Sequence, residues 1–431
     1  MNIKFRLTIL NFLEFAVWGA YLTSMGGFLA SVGLGSFIGY FYSVQGFVSL
    51  IMPAVMGIVA DRWIQAQKVL SLCHLLAGVM MISASAYSMH VSNKVEFSVL
   101  FGLYAASVAF FMPTIALTNS VSYNALDKAG LDAVKTFPPI RVFGTVGFIV
   151  SMWIVDLTGW QTTSMQFMWS GVLSIVLAVF ALSMPKCATS TKKVSKNIIQ
   201  ALGLEAFSLF KNYKMALFFI FSMLLGCCLQ ITNGYAGPFL QSFGINEAYQ
   251  NTFGVEHSNI LISLSQISET LCILLIPFCL SRFGIKKVML MSMLAWALRF
   301  GFFAVGDPGS GVWLLVLSMI VYGIAFDFFN ISGSLFVDKE TDISIRNSAQ
   351  GLFMMMTNGF GASLGMLVAG WVMNMYTENM NGLMIDKPGT GGWQEAWTVF
   401  AVYAFVVAIV FTIMFRYKHT SEISCDLKSN S

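Results

Sequence analysis

Residues 1–30 read MNIKFRLTILNFLEFAVWGAYLTSMGGFLA. Beyond Lys4 and Arg6 the stretch stays apolar for longer than the roughly 7–15-residue core of a secretory leader. It also carries Glu14 and Trp18. We read it as a first membrane-spanning helix kept in the mature chain. A span needs about 20 mostly apolar residues, and the pattern recurs. Twelve segments qualify, at 7–30, 37–60, 69–90, 96–120, 139–158, 164–184, 213–236, 258–280, 287–305, 311–333, 350–374 and 395–415.

Composition demands the same answer. Of 431 residues, 57% are hydrophobic and 10% charged, against about 25% charged in soluble domains. So few polar residues cannot cover a soluble surface of this size, so apolar side chains must face lipid. The basic residues fall between the apolar segments rather than in one patch, which speaks against a nucleic-acid partner. Orientation follows from Lys and Arg in short loops. With the N-terminus inside, inner regions hold 20 of the 24 basic residues, and the outer loops hold only Lys94 and Lys387. Arg141 and Arg299 lie within apolar segments. This split predicts an even number of spans and two cytoplasmic termini.

The longest inner loop contains MPKCATSTKKVSKN, and LGLEAFSLFKN after it suits a short surface helix. The expected organisation is an all-α polytopic membrane protein in two six-helix halves, 1–184 and 213–418, with a linker over 185–212 and a cytoplasmic tail over 419–431. An internal echo supports two halves. GIVADRWIQAQK (57–68) follows the second span, and PFCLSRFGIKK (277–287) follows the eighth. The first copy resembles the major facilitator signature G-x-x-x-D-R-x-G-R-K through Gly57, Asp61, Arg62 and Lys68, without its second glycine. Gly57 would permit close helix approach, and Asp61 and Arg62 would lock a gate; a plain topogenic cluster is the competing explanation.

Charge at mid-bilayer costs about 2.5–3.5 kcal/mol or more, so the few intramembrane charges should face a cavity or a partner. Five stand out: Glu14, Arg141, Glu269, Arg299 and Asp327. Gln266 lies one turn before Glu269, and Gln230 and Asn233 are again three apart, hence on common helix faces. Arg141, Thr145 and Phe148 share a face at i, i+4 and i+7. Tyr322 and Phe326 sit beside Asp327. Some of these have structural alternatives: Glu14 could hydrogen-bond across helices, Arg141 could snorkel to the inner edge, Gln266 and Asn233 could pack helices, and Arg299 could snorkel or pair internally.

The seven cysteines and four histidines show no metal-ligand spacing, so neither a metal nor a cofactor is expected. There is no Walker A motif, dinucleotide fingerprint or credible Ser–His–Asp order, so an enzyme is not expected and ion gradients should supply energy. No added soluble domain supports a receptor or scaffold.

MNIKFRLTILNFLEFAVWGAYLTSMG, GIVADRW, TFPPIRVFGTVGFI, FSMLLGCCLQITN, SQISETL and LSMIVYGIAFDFFNISGSLFVDKE together resemble the nucleoside:proton symporter family of bacterial permeases, within the major facilitator superfamily. The resemblance runs from Met1 to about Tyr417. It implies proton-coupled uptake of purine and pyrimidine nucleosides across the inner membrane by a monomer in membrane lipid. It also implies a substrate site of Arg141, Thr145, Phe148, Gln230, Asn233, Gln266, Glu269, Tyr322, Phe326 and Asp327, with proton coupling among Asp327, Glu269 and the less typical Glu14. The chemistry suits this. Amides match the donor and acceptor edges of a base, aromatic rings match its face, and carboxylates match ribose hydroxyls. Symport of a sugar or glycoside is the alternative, since sugars also use carboxylates and rings; the amides favour a base.

A reporter fused after Lys418 or within 186–200 should read cytoplasmic, and one near Lys94 or Lys387 external. A C-terminal reporter on the outer side would contradict the twelve-span reading.

Overall fold

The computed structural model describes residues 2–91, 94–187, 204–342 and 345–417. The linker is therefore described only at its ends, and the tail 419–431 lies outside the described residues.

Ten helical stretches among the described residues are long and apolar enough to cross a bilayer. One of them, Ser258–Val305, is two spans in one. Inside it Gly284 adopts φ 77°, a left-handed conformation that breaks the helix and that glycine adopts without steric cost. The first span is too short to count by itself because it is broken: Ile3–Gly19 (α1), a turn, then Met25–Ser31 (α2). Twelve crossings result, and the order matches the sequence reading. Ile38–Arg62 (α3), Ala66–Val91 (α4), Phe97–Lys128 (α5), Ala133–Leu157 (α6) and Met165–Leu182 (α7) complete the first half. Side chains such as Leu274, Val179 and Ile413 stand exposed on the flanks, where lipid is the solvent that tolerates them.

Several elements differ from the sequence reading. The seventh span is not one helix over 213–236. It breaks into Tyr213–Gly226 and Ile231–Ser242, at the place where the first span also breaks. The eleventh changes pitch, from Arg346–Met354 through a π-helical turn at Met355–Gly361 to Ala362–Tyr376. A two-stranded hairpin, Thr377–Met380 with Leu383–Asp386, caps one end. The surface helix expected in the latter part of the linker is a 3₁₀ segment, Leu204–Lys211.

The hairpin end is where the halves close on each other. Asp156 on α6 reaches across to the start of the helix Ser258–Cys272. One of its oxygens lies 2.5 Å from His257 Nδ1; the other accepts from the backbone N–H groups of Asn259 (3.0 Å) and Ile260 (3.3 Å). A carboxylate from one half thus caps the N-terminus of a helix in the other, where the orphan N–H groups and helix dipole favour negative charge. Ser258 donates to Gln161 (2.6 Å), and Asn259 to Ser24 (2.7 Å). Asn379 and Asn374 donate to the carbonyls of Ala30 and Ser36. These hydrogen bonds joining the two halves all lie toward this end.

Close backbone packing accompanies the seam. A Cβ on Gly39 would stand 2.7 Å from the Met366 carbonyl oxygen and 3.0 Å from Gly370 Cα. Gly57 behaves otherwise: a Cβ there would meet nothing within 4 Å. The close approach expected at Gly57 is absent in this state. The side chains of Asp61 and Arg62 lie outside the described set.

Overpacking a tight contact costs about 1–3 kcal/mol, so Gly39→Leu should cut uptake about tenfold or more while membrane abundance holds. Undiminished uptake by that variant would show that the seam at Gly39 does not need to close.

Candidate functional site

Between the halves lies a cavity of about 640 Å³, a size suited to a small organic ligand. It extends away from the hairpin end, along Ser49, Pro53, Asn119, Gly351 and Met354. Those positions lead toward the end that carries Lys128, Arg346 and the linker.

The broken helices explain how polar groups reach the middle of the bundle. In corresponding positions of two repeats, interrupted helices mark binding sites in transporters. Trp18 and Leu22 from the first break, and Leu229, Gln230 and Asn233 from the second, all line the cavity. The Leu22 carbonyl, freed by its break, accepts from the Tyr42 hydroxyl.

One wall comes from the first half. Arg141, Thr145 and Phe148 all face the cavity from α6, as their spacing predicts. The Arg141 guanidinium lies over the Phe15 ring, 3.8 Å from its centroid, and this cation–π contact fixes its plane. Trp18 meets Phe148 edge-on at 6.2 Å. Gly144 gives Phe15 room to lie beside α6. Arg141 is thus held inward rather than snorkelling.

The other wall is amide, acid and ring. Asn233 donates to Gln230 (2.9 Å), which orients the pair. Gln266 and Glu269 face inward from the helix Ser258–Cys272, and Tyr322 and Phe326 stack on each other at 5.7 Å from Val312–Glu340. Arg141 and Glu269, opposite in charge, line the same space from opposite walls. A ligand between the walls would meet a cation, a carboxylate, amides and flat rings together.

Three other charges are placed elsewhere. Asp327 does not line the cavity. It is buried behind Phe326, and its Oδ2 has no hydrogen-bond partner among the described residues. Successive helical residues point about 100° apart, so Phe326 and Asp327 cannot share a face, and Asp327 stands off the cavity in this state. Glu14 also lies off the cavity, fully buried against His74. Arg299 is fully buried too. It donates to the Ser318 carbonyl (2.7 Å) and Thr232 (3.1 Å) and sits 4.5 Å from the Tyr322 ring centroid. It supports the ring wall from behind.

Sequence reading missed Gln45, Asn119 and Asn358, which also line the cavity. Their neutral amides stand out less than charges in apolar segments, and only their position in the bundle reveals them. Among the described residues no cluster of His, Cys, Asp and Glu could hold a metal ion.

Two six-helix halves around a central polar cavity, sealed at one end, define a major facilitator transporter. The model of the Nucleoside H+ symporter family matches residues 1–420. The chain is 47% identical to the xanthosine permease of Escherichia coli over 98% of each chain. It is 48% identical to the nucleoside permease NupG of Escherichia coli over 97% of each. A crystal structure of nucleoside transporter NupG superposes with a TM-score of 0.87, covering 97% of this chain and 100% of that one. The xylose transporter XylE of E. coli, only 12% identical, shares the fold at a TM-score of 0.65, over 96% of each chain. The chain belongs to the Nucleoside H+ symporter family.

Arg141→Ala should abolish uptake with membrane abundance unchanged. Arg141→Lys should also transport poorly, because lysine lacks the planar five-donor fork and its stacking. Near-normal uptake by the alanine variant would mean that the cation–π contact only packs helices.

Proposed function

We propose that this chain takes up purine and pyrimidine nucleosides together with protons, by alternating access about the central cavity. The observation that carries the reading is the single wall that brings Gln230, Asn233, Gln266, Glu269, Tyr322 and Phe326 together, facing Arg141, Thr145 and Phe148. Amides pair with base edges, the stacked rings take the base face, and Glu269 accepts from ribose hydroxyls. A simple sugar would use the acid and a ring but leave the amides unmatched. Family membership points the same way.

The two halves, 1–184 and 213–418, rock about the bound substrate, with 185–212 as the tether. The end bearing Lys128, Arg346 and both termini faces the cytoplasm, so the present state is open inward and closed outward. The outward-facing state requires the Asp156–His257 seam to part. The protein works as a monomer in the bacterial inner membrane.

Proton and substrate are coupled when both favour the same carrier states, and the coupling is reciprocal. Glu269 touches substrate, and Asp327, behind the ring wall, exchanges the proton. The burial of Asp327 next to the site and its unpaired oxygen support that division of labour.

Vesicles given separate proton and sodium gradients test the reading with labelled uridine, adenosine and guanosine. Uptake should follow the proton gradient for all three. Asp327→Asn should still bind uridine, with weakened pH dependence across pH about 5.5–8.5, and should not concentrate it. Glu269→Gln should lose affinity at every pH. Full proton-driven accumulation by Asp327→Asn would move the proton site to Glu269.

A further inference from the structure

The deepest polar cluster in the first half is not part of the cavity. Glu14 on α1 and His74 on α4 are both completely buried, with Glu14 Oε2 2.9 Å from His74 Nε2. Thr118 of α5 donates to Glu14 Oε2 (2.8 Å), and Thr114 Oγ1, also on α5, lies 2.6 Å from Oε1 with its one proton shared between that oxygen and the Phe111 carbonyl (2.5 Å). On the far side of the ring, His74 Nδ1 lies 3.0 Å from Ser174 Oγ of α7.

The contact with Ser174 places one proton. A serine hydroxyl has one proton to give, and Ser174 gives its proton to the His74 backbone carbonyl at 2.8 Å. Toward Nδ1 it can only accept, so Nδ1 carries a hydrogen. The short Nε2–Oε2 contact then needs one proton, on one atom or the other. With none, two lone pairs would face each other and a net negative charge would be buried. With two, donors would collide and a net positive charge would be buried. Either is expensive in a dry interior. With one, the pair is neutral as a unit wherever that proton sits, which is how two titratable side chains can be wholly enclosed. The ionisable groups that feel Glu14 from neighbouring elements include Cys73 on α4 and Arg141 on α6. Arg141 stacks on Phe15, the residue after Glu14.

We propose that Glu14 and His74 share one trapped proton and act as a positioning pair. They clamp α1 to α4, α5 and α7 and so hold Phe15 under the Arg141 guanidinium, and they do not carry the transported proton. The inference rests on the transport reading above but is independent of whether Glu269 or Asp327 exchanges protons.

Glu14→Gln supplies a neutral amide that donates to Nε2 in place of the shared proton and still accepts from a threonine. It should concentrate uridine with an unchanged pH profile. His74→Gln, which removes the imidazole but can still bond Glu14, should also keep that profile. Glu14→Ala breaks the clamp; its KM for uridine should rise about tenfold, with kcat changed less, on losing a buried hydrogen-bonded partner. Glu14→Gln should restore what Glu14→Ala loses. If Glu14→Gln, or His74→Gln where the first does not insert, binds uridine but cannot accumulate it against a gradient, the pair carries the coupled proton and the proposal fails. It fails equally if Glu14→Ala transports like the parent.

Discussion

The cost of an unpaired charge in a low-dielectric interior governs this structure. An ionisable group at the level of the bilayer is costly unless it meets water, ligand or partner, and here, apart from buried Asp327 with its unpaired Oδ2, the groups divide by which of these they meet. Arg141 and Glu269 face the cavity. Glu14 pairs with His74 inside the first half. Arg299 donates to a carbonyl and two hydroxyls and turns its face to Tyr322. Asp156 is enclosed between a histidine and two backbone N–H groups of the opposite half. The same rule that makes such residues rare therefore gives each a distinct place, and the places define binding, support and closure.

Closure and opening are two ends of one arrangement. At the hairpin end, glycines bring backbones together and polar side chains bridge the halves. At the other end the walls separate, and the cavity runs on past the amides and rings. Breaks in the first and seventh spans put backbone carbonyls and short helix ends at the centre, where irregular backbone is tolerated because it lines a cavity or is buried in protein. A transporter needs strong but breakable contacts at its gates. Hydrogen bonds across a seam meet that need better than a continuous apolar core, since water can replace them when the seam opens.

Much of this was legible in the sequence. Twelve spans follow from hydropathy, and the facing of Arg141, Thr145 and Phe148 follows from helical periodicity. The amides and acids of the second half drew attention because polar groups are costly there. What escaped is instructive. Hydropathy averages over a window, so it passes smoothly across the turns at 20–24 and 227–230. The π-helical turn leaves no compositional trace. His74 carries no signal in the sequence because its partner is 60 positions earlier and on another helix. Asp327 was grouped with its neighbour Phe326, although adjacent residues on a helix point to different sides. Gly57 was read from a motif, while the close contacts are made by Gly39 and its counterparts.

The central claim is that the two walls form one site matched to a nucleoside, base and sugar together. Calorimetric binding of uridine and of free ribose to the purified protein tests it most directly. The account predicts saturable binding of uridine and none measurable for ribose over the same concentrations, because only the base engages the amides and stacked rings. Equal binding of the two would contradict it and make this a sugar site.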